Sequence, residues 1–103
     1  MSMFLDGKIS FLFWTHTHIQ TNDEMILPAW TWLITDVGMS WPLYSVVWAD
    51  FEVIKNRFLT WITKWKIDQA LWDDYVVSYI VIDIDEKTRK CVWVEKQRLI
   101  WRF

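Results

Sequence analysis

Glycine and proline are scarce in this chain: two of each in 103 residues. So little of either predicts few sharp, special turns. Cys91 is the only cysteine. No intramolecular disulfide can form, and no secreted disulfide framework is implied. The opening Met-Ser-Met-Phe-Leu-Asp-Gly has neither the basic region nor the apolar run of a signal peptide. No apolar run reaches the roughly 20 residues of a membrane-spanning helix. A cytoplasmic location without membrane attachment is expected. Also missing are a Gly-rich phosphate loop, G-x-G-x-x-G and a Walker pattern. No cofactor is expected.

What is present is apolar and aromatic. Hydrophobic residues make up 53% of the chain, which argues against intrinsic disorder. Ten residues are Trp, each presenting roughly 150–250 Å² of surface. The length predicts a single compact domain over residues 1–103. A net charge of −2 gives no global pull toward nucleic acid or an anionic membrane. The charge is segregated, however. Residues 68–86 carry six acidic and no basic side chains, and residues 87–103 carry six basic ones against Glu95 alone. A hairpin with oppositely charged arms explains this pattern.

The stretch Ser40–Trp65 dominates the reading. At about 100° per residue, Leu43, Tyr44, Val47, Phe51, Ile54, Phe58, Trp61, Ile62 and Trp65 share one arc. The spacing predicts a long amphipathic helix with Ser40 as N-cap, Pro42 in its first turn and Lys64 near its end. Trp48 and Leu59 fall off the stripe.

The remaining elements read as short and mostly extended. Asp6-Gly7 signals a turn, with a small strand over Met1–Leu5 before it. Lys8–Ile19 alternates as a long strand with Phe11 and Phe13 on the core side. Ala29–Val37 reads as a second strand opened by Pro28. Ile67–Asp74 suggests a helical turn capped by Asp68. Tyr75–Ile84 and the residues after Cys91 form a hairpin. Its four-residue loop pairs Asp85 with Lys90 and puts Arg89 where Gly is most comfortable. The predicted fold class is α+β: one antiparallel sheet, in β-β-α-β-β order with a short extra N-terminal strand, packed on one long central helix.

His16-Thr17-His18 is the only histidine constellation. On a strand both imidazoles project from one face and can reach one ion. No third or fourth ligand stands at a fixed spacing, so no metal site is assigned. Two polar residues on an outer strand face are the plainer account. Cys91 reads as a buried, inert thiol. No catalytic residue is assigned.

A second candidate is the basic face of the hairpin, where Lys96, Arg98 and Arg102 lie with Tyr79. Basic residues among aromatics can hold single-stranded nucleic acid or a nucleotide. The Trp excess is the third. Trp14, Trp30, Trp32 and Trp48, with Leu59, are the residues least obliged to be core. Exposed Trp supplies large rigid contact area at interfaces. On these grounds the sequence predicts a small non-enzymatic interaction module. It would be an inhibitor or adaptor, a phage-type inhibitor among them, that binds another protein or itself as a homodimer. Nucleic-acid or nucleotide binding through the hairpin is the alternative. A metal-dependent enzyme using His16 and His18 stands third.

Overall fold

A computed structural model describes residues 1–62 and 66–103. It is a mixed α and β structure with two three-stranded sheets and few helices. The chain forms two compact units. Met1–Met39 with Ser78–Arg98 make the first, and Ser40–Val77 with Leu99–Phe103 make the second.

The first unit opens with a four-residue helix, α1 (Ser2–Leu5), where a strand was expected. The amides of Phe4 and Leu5 both donate to Met1 O, which winds the chain instead of extending it. Asp6 is not spent on a local hairpin. Its carboxylate accepts from Ala29 N–H at 2.7 Å and Thr31 N–H at 3.1 Å. The buried Thr31 hydroxyl donates to Ile9 O at 2.7 Å and accepts from Gly7 N–H at 2.9 Å. These bonds seat β1 (Phe11–Phe13) beside β3 (Trp32–Ile34) in parallel, with Phe11 opposite Trp32 and Phe13 opposite Ile34. β2 (Met25–Ile26) pairs antiparallel on the other edge of β3. Ile34 and Leu27 are buried here. Both expected long strands are therefore three residues each, and the pair includes a parallel register.

β5 (Asp74–Ile84) and β6 (Cys91–Arg102) form the predicted hairpin and contribute to both units. Its loop closes where the sequence puts it. Asp85 N–H donates to Lys90 O at 3.0 Å, and Arg89 takes a left-handed φ of 60°. Cys91 is buried, as its sequence context suggests, and burial pushes its thiol pKa up.

The second unit departs most from expectation. The helix α2 covers Phe51–Thr60, ten residues, not the whole of Ser40–Trp65. Its N-cap is Asp50, whose carboxylate accepts from Val53 N–H at 3.1 Å. Before it, β4 (Trp41–Pro42) pairs antiparallel with β5, Trp41 against Val76. A tight turn then joins Val46 and Ala49 through two reciprocal backbone bonds. The periodic stripe over 43–47 was coincidental, because the backbone groups there bond across strands and turns. Residues 68–70 are extended, not helical: Asp50 N–H donates to Asp68 O, and Ala70 N–H donates to Trp48 O, each at 2.9 Å. Trp65 and Lys64, assigned to the helix end, lie outside the described residues. Trp61, expected in the core, is 86% exposed, whereas Trp41 is buried.

Candidate functional site

The segment after β1 leaves the sheet at Trp14, so His16 and His18 do not share a strand face. They stand on an irregular loop, and Asp36 is the reason. Asp36 stands two residues beyond the end of β3 and is only 1% exposed. One carboxylate oxygen, Oδ2, accepts from His16 N–H at 2.9 Å, Thr17 N–H at 2.6 Å and the Thr17 hydroxyl at 2.8 Å. The other, Oδ1, accepts from Gly38 N–H at 2.8 Å. Burial alone raises a carboxyl pKa. Here the bonds from His16, Gly38 and Thr17 outweigh burial and hold it down to about 2. A buried carboxylate so fully satisfied acts as a fixed pin for the loop.

Backbone bonds continue the lacing on both sides of the pin. Val37 N–H donates to Trp14 O at 3.1 Å and Met39 N–H donates to His18 O at 3.0 Å. Thr21 N–H donates to Asp36 O, and Asp36 N–H donates to the Thr21 hydroxyl, both at 3.0 Å. Gln20 Nε2 lies 3.3 Å from the carbonyls of Val37, Tyr79 and Gln97. Gly38 permits the close approach. It sits at φ 82°, and a Cβ there would lie 2.9 Å from Gln20 N. Below the loop, Asp23 accepts from Thr35 N–H at 3.1 Å and from the Thr21 hydroxyl at 2.6 Å. Burial pushes the Asp23 pKa up, but these bonds exceed that effect and leave it lowered.

The result is a braced loop with an exposed His16 and a half-buried His18. Imidazole gives and takes protons near neutral pH more readily than other side chains. Beside the loop, Phe11, Phe13, Val37, Tyr79, Ile80 and Ile82 line an open, mostly apolar pocket of about 200 Å³. Among the described residues, no three His, Cys, Asp or Glu side chains gather as a metal-binding group.

The other sequence candidates are divided between the two units. Trp14, Trp30 and Trp32 belong to the first unit, whereas Trp48 and Leu59 belong to the second. Trp30, Trp32 and Trp48 are half-buried, and Leu59 is exposed. Neither unit gathers the proposed aromatic surface by itself. Of the basic face, Tyr79, Lys96 and Arg98 lie in the first unit and Arg102 in the second. Lys96 is engaged with carbonyl and carboxylate groups, donating to Thr21 O at 3.1 Å and pairing with Glu24 at 2.9 Å. That hydrogen bond lowers the Glu24 pKa. Arg102 donates to Asp74 at 2.8 Å, which raises its own pKa.

Sequence reasoning missed Asp36, Thr17, Thr21, Gln20 and Gly38. Asp36 falls at the end of the stretch Ala29–Val37 that reads as a strand. The partners of Asp36 on the loop stand 15–20 residues back along the chain, beyond any periodic signal. The one available cue was the density of polar side chains over 15–18 directly after an aromatic strand.

Comparison with known proteins gives this arrangement a context. A model described as YmdB-like protein matches residues 1–97. A Bacillus subtilis protein named 2′,3′-cyclic-nucleotide 2′-phosphodiesterase is 38% identical over 97 residues, covering 93% of this chain and 36% of that protein. A Mycoplasma genitalium protein named putative phosphatase/phosphodiesterase is 42% identical over 99 residues, covering 95% of this chain and 34% of the relative. A crystal structure described as a novel phosphatase from Mycoplasma pneumoniae superposes with a TM-score of 0.82 at 27% identity, covering 97% of this chain and 35% of that one. A hypothetical protein from Thermus thermophilus superposes at 0.78 with 28% identity, covering 96% of this chain and 38% of the other. The chain spans about a third of the length of these relatives. Their names overturn the expected non-enzymatic inhibitor, adaptor or phage-type module and point to an enzyme.

Proposed function

Because this chain belongs to the YmdB-like protein family, we propose that it is part of an enzyme hydrolysing phosphate esters, with 2′,3′-cyclic nucleotides as the substrate class. The family match over residues 1–97 carries this reading. The loop pinned by Asp36 is where the chain contributes to the chemistry. Hydrolysis of a cyclic phosphate adds water across one P–O bond. The water oxygen bonds to phosphorus, the bond from phosphorus to the ribose O2′ breaks, and O2′ takes a proton. An imidazole suits the removal of a proton from water or its delivery to O2′. His16 and His18 hold that role here; Asp36 positions His16 through its backbone without touching substrate, and Met39 N–H holds the His18 carbonyl. The apolar pocket is the place for the nucleobase. Phe13 in its wall leads into the loop, and Val37 follows Asp36. Aromatic walls suit the flat face of a base.

The test is turnover of 2′,3′-cyclic AMP to 3′-AMP, with the imidazole resonances of His16 and His18 followed during titration with nucleotide. Both resonances should shift, and His16→Ala or His18→Ala should lower turnover about 10²-fold or more. Unmoved resonances, with turnover unchanged in both variants, would remove the histidines from the site.

A further inference from the structure

Three turns in this chain put tryptophan where the backbone calls for glycine. Among the described residues, six non-glycine positions have positive φ. Trp holds three of the six, Trp30, Trp48 and Trp61, although it is ten of the 103 residues.

Each case is a different motif. Leu27 and Thr31 close a three-residue loop, with Leu27 N–H donating to Thr31 O at 2.8 Å and Trp30 N–H donating to Leu27 O at 3.0 Å. In such a loop a type I turn over the first residues is followed by one left-handed residue, the usual place for Gly. That residue is Trp30, at φ 104°. Val46 and Ala49 exchange both backbone bonds around Val47 and Trp48, at φ 52° and 89°. Two positive φ values in a two-residue hairpin loop define a type I′ turn, whose second position favours Gly. Trp61 ends α2 at φ 56°, ψ 14°, with its N–H bonded to Arg57 O. A left-handed residue closing a helix is most often Gly.

The values at Trp30 and Trp48 exceed the narrow φ range of about 50–70° that L-residues with a Cβ can reach. Trp has no short polar side chain to offset the strain, as Asn or Asp has. Nor does burial compensate at Trp61, which is 86% exposed. Composition points the same way. Glycine averages about 7% of residues in proteins, and here there are two in 103.

We infer that the codons for residues 30, 48 and 61 are UGA triplets which the native host translates as glycine. UGA is one base from the glycine codon GGA, and its meaning differs between genetic codes: stop in most, tryptophan in some, glycine in others. A chain decoded with tryptophan at UGA would show this signature. Glycine would be depleted, tryptophan enriched, and indoles would sit where the backbone needs no side chain.

The decisive measurement is mass spectrometry of peptides spanning the three positions, from protein isolated from its own host, read beside the gene. UGA at each codon and a glycine mass at each position are expected. A UGG codon or a tryptophan mass at any of the three overturns the inference there. A second experiment needs only the recombinant chain. Trp30→Gly, Trp48→Gly and Trp61→Gly should each raise the folding equilibrium constant about tenfold. The matching alanine variants keep a Cβ and should gain less. If glycine stabilises no more than alanine at these sites, the backbone makes no demand for glycine and the inference fails.

Discussion

The loop from Trp14 to Thr21 and the helix α2 make an instructive pair. One has no regular secondary structure; the other has ten residues of it. Yet the irregular segment is bound by a carboxylate 19–20 residues away and by backbone bonds to Val37 and Met39. α2 is capped by its own Asp50, fully buries none of its residues, and leaves Phe51, Phe58 and Leu59 exposed. Regularity and fixation are separate properties. A helix satisfies its own backbone and can still be loosely anchored. A loop can be rigid when a buried side chain accepts its amides.

The largest test of this contrast is Asp36→Ala. It strips the acceptor from the amides of His16, Thr17 and Gly38 at once. Stability should fall by about 3 kcal/mol in urea titration. Hydrogen exchange should accelerate at residues 16 and 17 and not within α2. Continued protection of these two amides would show that something other than Asp36 holds the loop.

Acid provides a gentler version of the same cut. The Asp36 carboxyl is held near 2, below its ordinary 3.8. A depressed carboxyl pKa gives stability that is complete above the unfolded value and fades as pH falls through the folded one. The loss should therefore run from about pH 4 down to pH 2 and reach about 2 kcal/mol. Asp36→Asn should flatten that part of the stability curve. An unchanged curve would mean that other carboxyls dominate acid unfolding.

The smallest effect is expected on the helical side. Asp50→Ala removes the bond to Val53 N–H and should cost about 1 kcal/mol. The loss should appear as reduced helical circular dichroism, with exchange at residues 16 and 17 unaltered. If those amides also lost protection, the helix and the loop would be energetically coupled and the contrast would collapse.

What the sequence disclosed follows the same division. The hairpin of β5 and β6 was legible because alternation and loop chemistry are local, down to the left-handed Arg89. The histidine pair was noticed, but its setting was not. An alternating pattern over residues 8–19 cannot reveal that Asp36 reaches across and takes two amides off the strand. The long helix failed for the converse reason. Leu43, Tyr44 and Val47 match a helical stripe by spacing alone, while the Val46–Ala49 turn and the Trp41–Val76 pair claim the backbone. The enzyme family was not legible at all, because the sequence carries no catalytic or phosphate-binding motif, and the bonds of Asp36 to the loop span 15–20 residues.

The bonds that Asp36 makes have a further consequence for ligand capture. A mobile loop must surrender conformational freedom when it closes on a ligand, and each rotamer-rich side chain it immobilises weakens binding by roughly 0.5–1.5 kcal/mol. Here the main chain at His16 and Thr17 is already fixed. If the loop takes a nucleotide as proposed, that part of the ordering is complete before binding. Loss of Asp36 would then slow association, because the loop would have to order itself first.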